Sequence, residues 1–325
     1  MPSARLRRSI QLAAAALAMS EAAAFDLQGH RGARGLAPEN TLPAFARALA
    51  IGVTTLELDC GVTRDGALVV SHDRRLNPDI TRGPGGAWLD GPGPMIHALD
   101  YAELARYDVG RIRPGSEYAK RFPDQTPVDG TRIPRLADVF ALVARARNAT
   151  VRFNIETKID PTRPEETLAP DEFARALVRE VRAGGMARRT TIQSFDWRTL
   201  RVVQAEAPEI ATVYLSAADT IGSGDRASPW TAGLRPRDYA SVPAMVKAAG
   251  GAIWSPAHAE VTPALVLEAH RLGLAVIPWT ANAPAELERL LDLGVDGIIT
   301  DYPDRLRAAL AARRRALPTP TPVER

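Results

Sequence analysis

A chain of 325 residues suits one large domain with ample material for a core. A hydrophobic fraction of 46% and a charged fraction of 24% are those of an ordinary globular protein and exclude a low-complexity chain. The formal charge of +3 falls to +1 once residues 1–24, with three Arg and one Glu, are set aside, which is no electrostatic footprint for nucleic acid.

Those first 24 residues read as a cleavable export signal. Arg5, Arg7 and Arg8 form a basic start, residues 10–19 an apolar run, and Ala22-Ala23-Ala24 a small-residue cleavage site. Cleavage near Ala24 predicts a periplasmic or secreted protein. The apolar run is too short to remain as a membrane anchor, and no later stretch is long enough to span a bilayer. The single cysteine, Cys60, excludes a disulfide within the chain and reads as a small buried hydrophobe.

A short strand over 26–30 ends in His30-Arg31-Gly32. A turn-rich run follows, and Asn40 or Thr41 caps a helix through Ala50. The strand over 54–59 is apolar and β-branched except for Glu57 and Asp59, which the two-residue period places on one face. Acidic residues are poor strand formers, so two of them in an apolar run mark a candidate site. Arg64-Asp65-Gly66 is a turn, and a short strand over 67–70 leads into Ser71-His72-Asp73. Such a hairpin folds His72 back to the level of Glu57 and Asp59. Ser71, His72 and Asp73 do not read as a triad, since adjacent side chains on a strand point apart.

Residues 74–132 are rich in Gly and Pro with little periodicity, and read as an insertion carrying one short helix over 101–106. From Ile133 a regular alternation sets in. Helices over 135–147, 171–183, 198–206, 237–249, 262–272 and 284–293 lead to strands over 151–158, 190–194, 211–215, 252–255, 274–279 and 297–300. A last helix runs over 302–314, and residues 315–325, with LPTPTP, read as a disordered tail.

With the hairpin as an excursion above the second strand, eight strands alternate with eight helices. Strict alternation implies parallel strands, and eight units in this length predict an α/β fold, a TIM (β/α)8 barrel over 25–314 with a hairpin and the 74–132 insertion after strand 2. His30, Glu57, Asp59, Glu156, Lys158, Gln193, Trp279 and Asp301 all fall at the ends of predicted strands, the rim where this fold builds its active sites.

The residue types at that rim point to a chemistry. Glu156, in NIETK, adds a third carboxylate beside Glu57 and Asp59. Three converging carboxylates call for a positive charge between them, and a hard cation with oxygen ligands, Mg²⁺ or Ca²⁺, is the natural one. A salt-bridge network through Lys158 or Arg31 is the alternative. His30 and His72 are left free for proton transfer. A metal, two histidines and the cations Arg31 and Lys158 suit cleavage of a phosphate ester. Trp279 either packs substrate carbons or fills the core. His97 and His258 are weaker candidates for substrate contact, and His270 reads as a surface residue.

HRGARGLAPENTLPAF, ELDCGVTRDGALVVSHD, NIETK, IQSFD, PWTAN and GVDGIITDYP, in this order from residue 29 to about 303, resemble the successive motifs of the glycerophosphodiester phosphodiesterase family. The resemblance implies a TIM barrel that hydrolyses glycerophosphodiesters, its small-molecule substrates, to sn-glycerol 3-phosphate and an alcohol. It implies His30 and His72 as general acid and base, Glu57, Asp59 and Glu156 as metal ligands, and Arg31 and Lys158 as phosphate-binding groups. Gln193 and Trp279 join these as expected substrate contacts, and the insertion as part of the substrate pocket. Cys60, Thr157 and Ala281 depart from the usual residues without removing a catalytic group. Two other readings compete: a phospholipase D-like enzyme acting on lysophospholipids or sphingolipids, and a non-catalytic binding protein on the same scaffold. A binder has no need of a paired acid and base.

Overall fold

Strand β1 (Asp26–Gly29) sets the frame, pairing in parallel with β2 (Thr55–Val62) on one side and β9 (Gly297–Thr300) on the other. The computed structural model describes residues 25–222 and 227–323, and the proposed leader over 1–24 lies outside them. From β2 the sheet continues through β4 (Arg152–Thr157), β5 (Thr190–Ser194), β6 (Ala211–Ser216), β7 (Ile253–Pro256) and β8 (Ala275–Val276), every neighbour parallel. Among the described residues this gives eight parallel strands. The seam between β8 and β9 has no ladder, but Asp296 N–H donates to Val276 O (2.9 Å) and Ile299 N–H to Pro278 O (2.9 Å), which nearly closes the barrel.

A helix follows each barrel strand and covers it: α1 (Leu42–Ile51), α4 (Leu136–Arg145), α5 (Pro170–Ala183), α6 (Trp197–Glu206), α8 (Val242–Ala248), α9 (Pro263–Arg271), α10 (Pro284–Asp292) and α11 (Pro303–Ala312). The two-residue period of the strands sorts their side chains between these layers. Leu56, Leu58, Phe153, Ile155 and Ile192 are fully buried in the apolar layer beneath the helices, where the Phe153 ring meets Phe140 of α4 edge-on at 5.0 Å. Truncating either ring to Ala would cost about 3–5 kcal/mol. The alternate residues face inward and are polar. Asn154 donates to Gln28 (3.0 Å) and Gln193 (2.8 Å) across the barrel interior, so this interior is hydrogen-bonded below the mouth.

The predicted (β/α)8 architecture is therefore the observed one, and three local expectations change. The helix expected over 237–249 begins only at Val242, because Ser241 caps it by accepting from Ala244 N–H and a 3-10 turn (Pro236–Asp238) precedes it. The strand expected over 274–279 has a two-residue ladder, since Pro278 lacks an N–H, although Ile277 and Trp279 still donate to β7. The tail expected to be disordered is pinned in its described part. Thr321 N–H donates to Leu49 O (2.9 Å), Arg307 to Pro318 O (2.8 Å), and Leu317 and Val323 pack on the core.

The hairpin strand β3 (Leu68–Val70) pairs antiparallel with β2, Cys60 facing Val70. Beyond it the insertion holds α2 (Tyr101–Leu104) and α3 (Glu117–Arg121), and a second small core of Val69, Leu76, Ile96, Leu104, Val109 and Ile133. Helix α3 was not predicted: bounded by Gly115 and Pro123, it is too short to show a period. The β6–α8 connection begins with the short helix α7 (Ala218–Ile221). No helix among the described residues is long and apolar enough to cross a membrane.

Candidate active site

At the C-terminal end of β1 the chain turns sharply through His30-Arg31-Gly32. Arg31 takes φ +50° and Gly32 φ +86°, and a Cβ on Gly32 would sit 2.7 Å from the backbone of Ala44, so only glycine fits against α1. The turn aims the Arg31 N–H at Glu57 Oε2 (2.8 Å) and leaves His30 facing into the mouth. A left-handed arginine is uncommon, and here Asn40 N–H, donating to Arg31 O (3.0 Å), holds it in place.

The hairpin does what its sequence implies. Ser71 N–H donates to Asp59 O (2.9 Å), so His72 returns to the level of the carboxylates. One expectation fails there: His72 Nδ1 lies 2.8 Å from Asp73 Oδ1, although the two are adjacent. β3 ends at Val70, so the alternation that would separate them no longer applies. Both histidines are thereby held alike. A carboxylate only accepts, so it fixes the proton on Nδ1 and leaves Nε2 open: Asp73 does this for His72, and Asp301 for His30 at 2.7 Å. Asp301 is itself gripped by Arg34 through Nε and Nη2 (2.7 and 3.0 Å) and by Asn282 Nδ2 (2.7 Å).

Glu57, Asp59 and Glu156 converge as expected, each offering an oxygen within 4.8 Å of the others, all three buried. The salt-bridge alternative is also present in part. Lys158 Nζ lies 2.8 Å from Glu156 Oε1 and 3.7 Å from Asp59 Oδ1, and Arg31 Nε 3.3 Å from Asp59 Oδ2. These contacts do not saturate the group, because Asp59 Oδ1 and Arg31 Nε are buried without a hydrogen bond.

Charge tells the same story. Burial would raise Asp59, but Lys158, His72 and Arg31 hold it well below the carboxylate range. Lys158 bonds Glu156 and opposes the shift, but burial, with the charge of Asp59 adding to it, outweighs that contact and pushes Glu156 up to about 7. Burial and the charge of Asp59 push Glu57 well above its ordinary value. Two carboxyls driven towards the neutral form beside an orphaned oxygen mark an excess of negative charge that a divalent cation relieves, so the donor set fits a hard metal ion. Burial and the guanidinium of Arg34 lower His30 to about 4, and burial with Arg31 and Lys158 lowers His72 to about 4.

These groups line one cavity of about 780 Å³ at the mouth, which contains His30, Arg31, Glu57, His72, Glu156, Lys158, Gln193 and Trp279, with Asp59 buried beneath. Gln193 lines the cavity with its amide already bonded on both sides. Its Nε2 donates to Glu57 Oε1 (2.7 Å) and its Oε1 accepts from Asn154, so it orients a carboxylate. Trp279 Nε1 donates to Ser255 O (3.0 Å), its ring packs on Phe195 at 5.3 Å, and the residue lines the cavity. His258 lines the cavity too, whereas His97 bonds Val62 O and His270 pairs with Asp296 on the surface.

Sequence reading missed Arg34, Glu39, Asn282 and Tyr118. Glu39 accepts from Arg31 (2.6 Å) and from the Tyr118 hydroxyl, so the insertion reaches across to Arg31. Arg34 and Glu39 stand in the turn-rich run RGARGLAPEN that follows His30, and charged residues within that run were the available signal.

Comparison with known proteins agrees with this geometry. The sequence profile described as the glycerophosphoryl diester phosphodiesterase family matches residues 30–305. A glycerophosphodiester phosphodiesterase of Caldanaerobacter subterraneus is 29% identical over 277 residues, 85% of this chain and 94% of its own. A Silicibacter pomeroyi protein, assigned to the family only provisionally, has a crystal structure that superposes with a TM-score of 0.82 at 38% identity, covering 90% of this chain and 95% of its own. A human lysophospholipase D is 25% identical over 295 residues, 86% of this chain and 83% of its own.

Proposed function

Since the chain belongs to the glycerophosphoryl diester phosphodiesterase family, we propose that it hydrolyses glycerophosphodiesters to sn-glycerol 3-phosphate and an alcohol, with His30 and His72 moving the protons. The observation that carries this reading is the pair of imidazoles, each with Nδ1 tied to a carboxylate and Nε2 open to a cavity that also holds Arg31 and Lys158.

Hydrolysis forms a bond from a hydroxyl oxygen to phosphorus, breaks the bond from phosphorus to the alcohol oxygen, and moves one proton from the first oxygen to the second. An open Nε2 accepts the nucleophile's proton, and the other ring, protonated, donates to the leaving alkoxide. Both rings are lowered to about 4 before substrate arrives. A diester anion lodged between them favours the imidazolium form of one, which arms the acid. We take His30 as the acid and His72 as the base. Arg31 and Lys158, at the floor of the cavity, hold the phosphoryl oxygens and spread the charge that grows on them.

Glu57, Asp59 and Glu156 would hold one divalent cation, Mg²⁺ or Ca²⁺, with Gln193 and the Arg31 N–H fixing Glu57. Bound there, the ion would supply Lewis-acid stabilisation of phosphoryl charge. The leader supports export, with the mature chain starting near Phe25, which N-terminal sequencing of the exported protein checks.

The deciding experiment is release of glycerol 3-phosphate from glycerophosphodiesters with and without chelator, in wild type and Glu57→Gln. Loss of activity on chelation, restored by Mg²⁺ or Ca²⁺, and a higher cation requirement in Glu57→Gln are the expected results. A rate indifferent to chelation would remove the metal from the reading, and no release at all would remove the diesterase.

A further inference from the structure

We propose that the insertion flank of the cavity reads the charge of the headgroup, and that Arg121 makes the enzyme favour diesters whose headgroup carries an anion, a carboxylate or phosphate, over those carrying only an ammonium. This rests on the diesterase reading above and adds the class of substrate to it.

The mouth has two unlike flanks around the phosphate-binding groups. The barrel flank presents Phe195, Leu215, Ala257 and Trp279. Apart from His258, Thr280 and Asn282 it offers carbon surface, which suits the three-carbon glycerol skeleton and adds no charged side chain of its own. The opposite flank is built by α3 of the insertion, which brings Tyr118, Arg121 and the following Phe122 to the cavity. The exposed guanidinium at the mouth stands on this flank.

The sign of that flank follows from which charges are already matched. Asp73 accepts from Asn77 and sits against His72. Glu39 spends its oxygens on Arg31 and Tyr118, and Asp301 on His30, Arg34 and Asn282. No carboxylate on this side is left to receive an ammonium. Arg121 is exposed and, among the described residues, has no carboxylate partner, its guanidinium lying over the Tyr118 and Phe122 rings at 5.7 and 5.6 Å. Arg34 lies over Phe122 as well, at 4.6 Å, with its charge met by Asp301. The Phe122 and Tyr118 rings, which would otherwise offer faces to a quaternary ammonium, are thus covered by the protein's own cations. A headgroup arriving here meets one unmatched positive charge.

The test uses two diesters that differ by one carboxylate, glycerophosphoserine and glycerophosphoethanolamine. Their kcat/KM ratio is measured at low and high salt for wild type, Arg121→Lys, Arg121→Gln and Arg121→Glu. The expected wild-type preference for the serine diester is about three- to fivefold, the worth of one solvent-exposed charge pair. Lys should keep the preference, Gln should bring the ratio near unity, Glu should invert it, and salt should flatten it in every charged variant. If both diesters are cleaved with a ratio that charge reversal does not move, this inference is wrong while the diesterase reading stands. If wild type cleaves neither, the diesterase reading falls and takes the inference with it.

Discussion

His30 and His72 make the same hydrogen bond to a carboxylate, yet they belong to two different parts of the molecule. His30 closes a barrel strand; its carboxylate, Asp301, closes the neighbouring strand β9 and is itself locked by Arg34 and Asn282, with no exposed surface. His72 stands on a bend beyond the hairpin; its carboxylate is the next residue, supported by Asn77 of the insertion and about two-fifths exposed. The barrel therefore builds one proton-transfer group into its frame, while the other depends on how the insertion holds a loop. Catalytic geometry that the scaffold over-determines should be sensitive to single breaks, and geometry on a loop should tolerate them.

The largest effect that can break this comparison is removal of each ring. His30→Ala and His72→Ala should each lower kcat/KM on glycerophosphocholine by roughly 10²–10⁴-fold, the range for a positioned proton donor or acceptor. On a nitrophenyl phosphodiester the two should part. A nitrophenolate needs no protonation to leave, so the acid variant, His30→Ala in our assignment, should recover much of its rate and the base variant should not. Equal losses on both substrates for both variants would show that the rings bind phosphate or metal instead.

The second test compares the two carboxylates. Asp301→Asn presents an N–H where His30 needs an acceptor, and strands the Arg34 guanidinium beneath the mouth. It should cost about 10- to 100-fold in kcat, as loss of an orienting partner typically does. Asp73→Asn should cost under about tenfold, because water reaches a ring that is 33% exposed and can take over the acceptor's role. Equal losses would mean that the insertion holds His72 as firmly as the barrel holds His30.

The same contrast explains what the sequence disclosed. Glu57 and Asp59, Glu156 and Lys158, and the return of His72 were legible because strand period and turn chemistry are local rules, and the barrel followed from counting periods. Asp301 was legible as a residue at a strand end but not as the partner of His30, which is 271 positions away. Pairings of that length come from closure of the sheet, and no periodicity encodes them. Gln193 was legible as a strand-end residue at the cavity, but its bonds to Asn154 and Glu57 were not, because those partners come from other strands. Helix α3 and the pinned tail were missed because five residues show no period, and because a Pro-rich composition does not reveal that Leu49 and Arg307 offer it partners.

The smallest expected effect concerns pH and the stability of the metal-free protein. Each folded histidine titrates near 4 rather than 6.5, so between these values the unfolded chain carries protons that the folded one refuses. A depressed histidine therefore adds stability in full above about pH 6.5 and loses it as pH falls towards 4. Glu156, raised to about 7, acts with the opposite sign: it binds a proton in the folded protein that the unfolded one has released, so its contribution fades as pH rises through the same window. Glu57, raised well above its ordinary value, acts with the sign of Glu156, so carboxyls and rings oppose one another and the wild-type profile alone is uninformative. The informative quantity is the difference between wild type and a variant, because both share the carboxylates. For His30→Asn that difference should grow with pH by at most about 1.4 kcal/mol per pH unit, one proton's worth, between pH 4 and 6.5. For His72→Asn it should grow alike, since that ring is lowered to about 4 as well. Urea unfolding in chelator at half-unit pH steps reads both slopes. Equal slopes would show that the loop-held ring is kept as neutral as the scaffold-held one, so that the two differ in the rigidity of their carboxylate partners and not in charge; a slope near zero for either variant would mean that its ring keeps the ordinary value and that burial does not hold it neutral.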